Sequence, residues 1–362
     1  MKGKPPMSKA VLIENKDVKV LKSPDYNFIF NKHNGFFARW GETKEADPDF
    51  SPYGPELVDI EISTICSGVK GIGVCKFCYK SNTPNGTYMS LETFKKVFHN
   101  LPKTVTQIAF GIGDILANPD MWAIFDYSRE NGVVPNVTVN GEGITDEIAD
   151  TLVAKCGAVA VSVYDREKSF DTIKKLTDRG LKQVNIHYMI CEETYEGALR
   201  LLQDRQTDPR LAKLNAIVLL SLKPKGRATV GHRYTRLSDE KFKHLVDYAL
   251  AHGIGVGFDS CGAGKFMKAV EGNPQEEMYK QMAEPCESTK FSMYINTDGQ
   301  YFPCSFIEGE VVENGGDWTT GLDVVNCKDF LKDVWHNEKT QQFRTTCVAC
   351  TKANGNCPHY KV

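Results

Sequence analysis

The strongest constraint on this chain is an alternation of strand-like and helix-like segments between residues 57 and 258. Apolar, β-branched runs at 57–65, 107–110, 133–139, 158–163, 183–190 and 214–220 alternate with helical patterns at 91–99, 121–129, 145–155, 169–179, 195–204 and 239–252. One further strand is expected at 254–258. Strands this apolar on both faces belong in a parallel sheet covered by helices. Six such units over about 200 residues fall short of the eight that close a full barrel. The pattern predicts an α/β fold built as an open, partial (β/α)6 barrel, with a doubly wound sheet as the alternative.

Two segments flank the barrel, which is expected over residues 56–260. Residues 1–55 read as an N-terminal extension. Apolar runs at 26–30 and 36–40 surround Asn34-Gly35, which predicts a β-hairpin, and Pro48 and Pro52 mark a linker. Phe28, Phe30 and Phe37 are expected to pad one end of the barrel. Residues 261–362 are rich in cysteine and loops, with one helix expected at 329–335. So little apolar sequence predicts a small core held by a metal or a cluster.

Charge excludes several functions. Lys and Arg number 44 against 46 Asp and Glu, for a net charge of −2, which leaves no concentrated basic surface for a nucleic acid. No apolar stretch reaches the 18 residues of a membrane span, and the start, MKGKPPMSKAVLIENKD, lacks a signal-peptide core. A cytoplasmic, reducing location is expected. Twelve cysteines are unusual there, because disulfides do not persist. They must serve as thiols or as ligands.

Cys66, Cys75 and Cys78 follow the first strand, at the sheet end where parallel α/β folds place their chemistry. Thiolates are soft ligands that suit zinc or an iron–sulfur cluster, and three of them leave one coordination position open. Further along come Gly113-Asp114 after the second strand, Asn140-Gly141 after the third and Ser162 at the end of the fourth. Together these motifs resemble the radical S-adenosylmethionine (SAM) superfamily, over about residues 57–260. Its usual loop is Cys-x3-Cys-x-aromatic-Cys. The second half matches here, with Phe77 as the aromatic, but the first spacer has eight residues, including Gly68, Gly71 and Gly73.

The resemblance implies a [4Fe–4S] cluster on Cys66, Cys75 and Cys78, with SAM on the fourth iron. It places Gly113 and Asp114 at the Gly-Glu of a Gly-Gly-Glu-Pro segment that receives the SAM amino group. It places Asn140 and Ser162 among the SAM contacts, and Lys223-Pro-Lys-Gly-Arg227 at the exit of the sixth strand.

The C-terminal cysteines form a second set. Asp298-Gly299 is a strong turn signal that folds Cys304 back toward Cys286. The Gly-x4-Cys hairpin and the later Cys347-x2-Cys350 resemble the SPASM and twitch extensions of radical SAM enzymes, which bind auxiliary [4Fe–4S] clusters. Two clusters ligated only by cysteine need eight thiolates, and six follow residue 285. One auxiliary cluster is expected, on Cys286, Cys304, Cys347 and Cys350, with Cys357 as a substitute. His359 reads as a solvated terminal histidine. Cys156, Cys191, Cys261 and Cys327 read as buried apolar thiols.

What the resemblance implies is reductive cleavage of SAM to a 5′-deoxyadenosyl radical, which takes hydrogen from a substrate. Peptides or proteins undergoing crosslinking, epimerisation, excision or oxidation are the expected substrates. Ser305 stands where sulfatase maturases carry an Asp after the cysteine, which counts against that subgroup. A flavodoxin- or ferredoxin-type electron donor is implied, as is a partner protein that binds a leader peptide. The catalytic acid or base is not assigned; His187, Tyr188 and Asp259 are candidates. The competing readings are a radical SAM enzyme acting on a small molecule and a zinc-binding scaffold without catalysis.

Overall fold

The computed structural model describes residues 10–229, 234–355 and 357–360. An antiparallel sheet comes first, in the order β1 (Val11–Glu14), β2 (Val18–Lys22), β3 (Asn27–Asn31), β4 (Phe37–Trp40). The expected hairpin is β3–β4, where Phe30 faces Phe37. Its loop is longer than a two-residue turn. The Gly35 amide donates to the Asn31 carbonyl, with Gly35 at φ +73°, where a side chain would be strained. Strands β1 and β2 were not expected. Val11 and Ile13 of β1 point to solvent, so no buried face imposes an alternation that sequence could show. The buried face of this sheet packs Leu21, Tyr26 and Phe28 against Phe291 from the C-terminal segment.

The barrel strands are β5 (Leu57–Glu61), β6 (Gln107–Gly111), β7 (Val134–Val139), β8 (Ala158–Ser162), β9 (Gln183–Ile190), β10 (Ala216–Ser221) and β11 (Val256–Phe258). Between them run α1 (Leu91–Asn100), α2 (Met121–Glu130), α3 (Asp146–Lys155), α4 (Arg166–Asp178), α5 (Tyr195–Thr207) and α6 (Asp239–Ala251). Side chains of Ser90, Thr145, Asp165 and Ser238 cap α1, α3, α4 and α6, at about 1 kcal/mol each.

All seven strands are parallel, and each pairs with its neighbours in sequence. Right-handed crossovers that always step the same way put every helix on one face. A doubly wound sheet requires the order to reverse, and here it does not. Strands β5 and β11 are not partners, so the barrel stays open.

Alternation along the strands sorts their side chains. Val58, Ile60, Ile108, Val159, Ile186 and Ile217 face the helices and pack with Phe94, Ile124, Leu152, Phe170 and Leu201. The residues between them, among them Asp59, Asn136, Thr138, Asn185 and His187, face the inside of the curl.

The C-terminal segment continues this sheet. After α7 (Ala263–Ala269) and α8 (Glu276–Met282), β12 (Ser292–Ile295) pairs parallel with β5. Strand β13 (Gln300–Phe302) turns back on β12. A small ribbon of β14 (Val311–Val312) and β15 (Gly316–Asp317) follows, and β16 (Leu322–Asp323) pairs with β13. Two expectations are corrected here. Trp318, Trp335, Tyr301 and Phe343 are fully buried, so this segment has a substantial core. The expected helix at 329–335 is a short wide-turn stretch, Leu331–Trp335, and the long helix is α9 (Glu338–Asn354). Its sequence is mostly polar and reaches the core through Phe343 and Cys347, which left no apolar period to read.

One arginine joins the three segments. Arg39 of β4 donates to Glu56 at 3.2 Å, Glu287 at 3.1 Å and Glu284 at 2.8 Å, with its guanidinium 3.6 Å from the centre of the Phe291 ring. Burial and then the charges of Glu287 and Glu284 hold Glu56 well above the ordinary carboxyl range. Removing the cation leaves the buried Glu56 carboxyl facing half-buried Glu287. Arg39→Ala is expected to cost about 3 kcal/mol in urea unfolding, whereas Lys22→Ala, on the exposed end of β2, is expected to change it by under ~0.5 kcal/mol.

Candidate active site and cysteine cluster

Cys66, Cys75 and Cys78 lie on one loop beyond the carboxyl end of β5. The eight-residue spacer folds into a miniature hairpin, in which Val69 and Gly73 exchange backbone hydrogen bonds. Gly68, Gly71 and Gly73 all have positive φ, and a Cβ on Gly68 would overlap the Gly73 backbone. The hairpin returns the chain, so the long spacer still brings Cys75 and Cys78 back beside Cys66. Burial first, then Asp114 and Cys78, push the Cys66 thiol up. Burial also pushes Cys75 up, to about 11, with Cys78 adding to it.

The neighbouring strand ends hold this loop. The Asp114 amide donates to the Ile65 carbonyl, and the Asp114 carboxylate accepts from the Ser67 amide at 2.7 Å. Gly113 lies so close that a Cβ would overlap the Ile65 carbonyl oxygen and stand 2.8 Å from the Cys66 Cβ. Asn140 accepts from the Glu142 amide. Glu142 in turn accepts from the Lys70 amide at 3.0 Å and pairs with Lys168 at 2.6 Å, which anchors the spacer hairpin. Phe77 packs between Tyr164 and Tyr234, with ring centres 6.0 and 5.9 Å away. Burial first, then the neighbouring Cys75, raise the Tyr164 phenol.

Arg227 closes the loop from β10. Its Nε donates to the Cys75 carbonyl at 2.8 Å, its Nη1 to the Asn82 carbonyl at 2.7 Å, and its amide to the Cys78 carbonyl. Its Nη2 is buried without a partner among the described residues. An unsatisfied buried cationic donor beside three thiols fits an anionic cluster or carboxylate. Glu142, Lys168 and Tyr164 carry no motif that sequence reading could have isolated, whereas Arg227 lies in the Lys223–Arg227 segment expected at the exit of the sixth strand.

The candidate acids and bases separate. His187 faces inward, 3.4 Å from the Thr138 hydroxyl, and burial lowers it to about 4. Tyr188 lies on the helix side, its hydroxyl against Gly197 of α5. Asp259 forms a buried ion pair with Lys223.

The second cysteine set also gathers. The neighbouring Cys357 and burial hold Cys261 well above the usual thiol range, and Cys347 and burial do the same to Cys286. Burial, then Cys261 and Cys286, raise Cys304. Cys261, expected as an apolar thiol, therefore stands with Cys286, Cys304 and Cys357. Cys347 adjoins Cys286, with its sulfur 3.7 Å from the Cys286 carbonyl oxygen. Cys350 is one turn further along α9 and half-buried. Cys156, Cys191 and Cys327 lie apart; Cys327 contacts the Val324 carbonyl. His359 is half-buried, 3.8 Å from Glu310. Among the described residues no three side chains yet form a finished ligand arrangement. Metal or cluster uptake has to draw the sulfurs together and release their protons.

Two outcomes follow from this geometry. Gly113→Ala is expected to displace the Cys66 backbone and lower loop-bound iron at least about twofold, with a stability cost of about 1–3 kcal/mol; iron content and thermal unfolding read both. His187 binds its proton less readily folded than unfolded. Its contribution is present above pH ~6.5 and lost as pH falls toward 4, up to about 3 kcal/mol. Denaturant unfolding across that window is expected to be flatter in His187→Gln.

Residues 286–358 match the family model of the SPASM iron–sulfur cluster-binding domain. No match is found among curated proteins. Among solved structures, SuiB of Streptococcus suis bound to precursor peptide SuiA superposes with a TM-score of 0.66 at 12% identity, over 92% of this chain and 91% of that one. SuiB bound to S-adenosylmethionine gives 0.60 at 14% identity, over 81% and 68%. The protein anSMEcpe with bound AdoMet and the Cp18Cys peptide gives 0.56 at 14%, over 81% and 84%. The chain therefore has the fold of SuiB and anSMEcpe, with a segment at 286–358 similar to the SPASM iron–sulfur cluster-binding domain.

Proposed function

We propose that the chain is a radical SAM peptide maturase, which cleaves SAM reductively and abstracts hydrogen from a peptide to crosslink, epimerise, excise or oxidise it. The observation that carries this reading is the placement of Cys66, Cys75 and Cys78 on one loop, which Arg227 and Asp114 clamp at the mouth of the open barrel. The likeness to SuiB with its precursor peptide and to anSMEcpe with AdoMet and a peptide supports it.

Within this reading the chain divides into residues 1–55, 56–260 and 261–362. Cys66, Cys75 and Cys78 hold a [4Fe–4S] cluster, which supplies the electron that opens SAM. Asp114 accepts from the SAM amino group, with Gly113, Phe77, Asn140 and Ser162 shaping the rest of that pocket. Cys261, Cys286, Cys304 and Cys357 hold one auxiliary [4Fe–4S] cluster. Cys347 is a neighbour of this set, and Cys350 lies outside it.

The inner face offers Asn136, Thr138, Asn185 and His187 for hydrogen bonds to a peptide backbone. The loops at the barrel mouth expose Ile72, Val74, Leu116 and Tyr164, an apolar edge that favours a peptide over a small alcohol. Filling the barrel excludes water and positions one C–H bond for abstraction. A flavodoxin- or ferredoxin-type protein supplies electrons, and a separate protein presents the leader segment. The unpaired cysteines fit a reducing, cytoplasmic location.

The test is anaerobic incubation with SAM, dithionite and short peptides encoded beside this gene. A matching peptide is expected to raise 5′-deoxyadenosine release at least about tenfold and to change in mass, and the Cys66→Ala/Cys75→Ala/Cys78→Ala variant is expected to release none. Release that ignores every peptide but rises with a small alcohol would overturn the peptide reading.

A further inference from the structure

The Lys223 side chain is 3% exposed. It leaves the barrel just beyond β10 and ends between the segments that carry the second cysteine set. Its ammonium pairs with Asp259, two residues before Cys261. It lies 4.7 Å from the centre of the Phe306 ring, two residues after Cys304. The Phe306 carbonyl accepts from the Tyr360 hydroxyl at 3.1 Å, and the Tyr360 amide donates to the Cys357 sulfur at 3.3 Å. One cation thus touches or adjoins three of the four segments that supply thiols. Asp259 Oδ2 has no hydrogen-bond donor among the described residues, so the Lys223 ion pair is its one compensation.

A buried ion pair of this kind is a poor stabiliser, and an apolar pair of similar volume commonly does as well. Its position suggests a different use. Four thiolates around an iron–sulfur core carry net negative charge, and reduction adds one more electron. A fixed positive charge close by favours the reduced form, and a fixed negative charge opposes it. We propose that Lys223 and Asp259 are an opposed pair of charges that sets the reduction potential of the auxiliary cluster, with Lys223 raising it and Asp259 limiting the rise. This rests on the reading that Cys261, Cys286, Cys304 and Cys357 hold that cluster. Both residues act through the cluster's field and need not touch substrate.

The test is a dithionite titration of the anaerobically reconstituted full chain, followed by electron paramagnetic resonance. The Cys66→Ala/Cys75→Ala/Cys78→Ala background leaves one cluster to observe. Lys223→Gln is expected to lower the reduced-to-oxidised ratio at fixed potential about tenfold, ~59 mV for one electron. Asp259→Asn is expected to shift the potential the opposite way, and Lys223→Arg to stay near the parent. Shifts of Lys223→Gln and Asp259→Asn in the same direction, or no shift in either, overturn the proposal, because a packing role moves both alike. If Lys223→Gln takes up no iron, Asp259→Asn decides: an upward shift supports the pairing and none refutes it. A parent chain without auxiliary iron refutes the ligand set itself, and iron analysis before the titration separates that failure from the others.

Discussion

The Lys80 ammonium is the contact on which the relation between the two cysteine sets depends. It meets Glu61, the last residue of β5, at 3.1 Å, the Tyr294 hydroxyl of β12 at 2.7 Å, and Glu308. Even with this partner, burial keeps Glu61 above the ordinary carboxyl range. Without it, the buried Glu61 carboxyl would face half-buried Glu308 with no cation between them, which is costly. Lys80 lies two residues beyond Cys78, and Glu308 four beyond Cys304. One charge therefore binds the three-cysteine loop to the C-terminal hairpin.

The residue between repeats the connection. The Tyr79 hydroxyl donates to Ser305 at 3.1 Å, and its ring centre is 4.4 Å from that of Phe306. Lys225 adds a bond to the Phe306 carbonyl at 3.1 Å and one to Glu310 at 2.9 Å. Residues adjacent to Cys78 and to Cys304 are thus in direct contact. The parallel pairing of β12 with β5 extends the same union into the sheet, and Arg39 carries it to the N-terminal strands. These contacts fix the separation of the two cysteine-bearing segments.

Much of this was legible in sequence, and the exceptions have physical causes. The barrel could be read because each strand buries one face against helices, which writes a period into the chain. Strand order in the sheet could not, since a partial barrel and a doubly wound sheet use the same units. Strand β1 escaped notice because Val11 and Ile13 face solvent, and α9 because its buried apolar residues among those described are Phe343 and Cys347, too few to show a period. The three-cysteine loop was visible despite its long spacer, since Gly68, Gly71 and Gly73 supply the positive φ angles that a tight return requires. The place of Cys261 beside the second cysteine set was not visible. It lies 25 residues before Cys286, and only the fold brings Lys223 to its sequence neighbour Asp259. Arg227 likewise gains its role from the return of β10 to the mouth of the barrel.

The central claim is that two separate cysteine sets each hold an iron–sulfur cluster. Iron and acid-labile sulfide per chain, measured after anaerobic reconstitution of the full chain beside the Cys66→Ala/Cys75→Ala/Cys78→Ala variant, test it most directly. About eight irons with matching sulfide are expected, falling to about four in the variant. Zinc without sulfide in both proteins, or eight irons retained in the variant, would contradict the account.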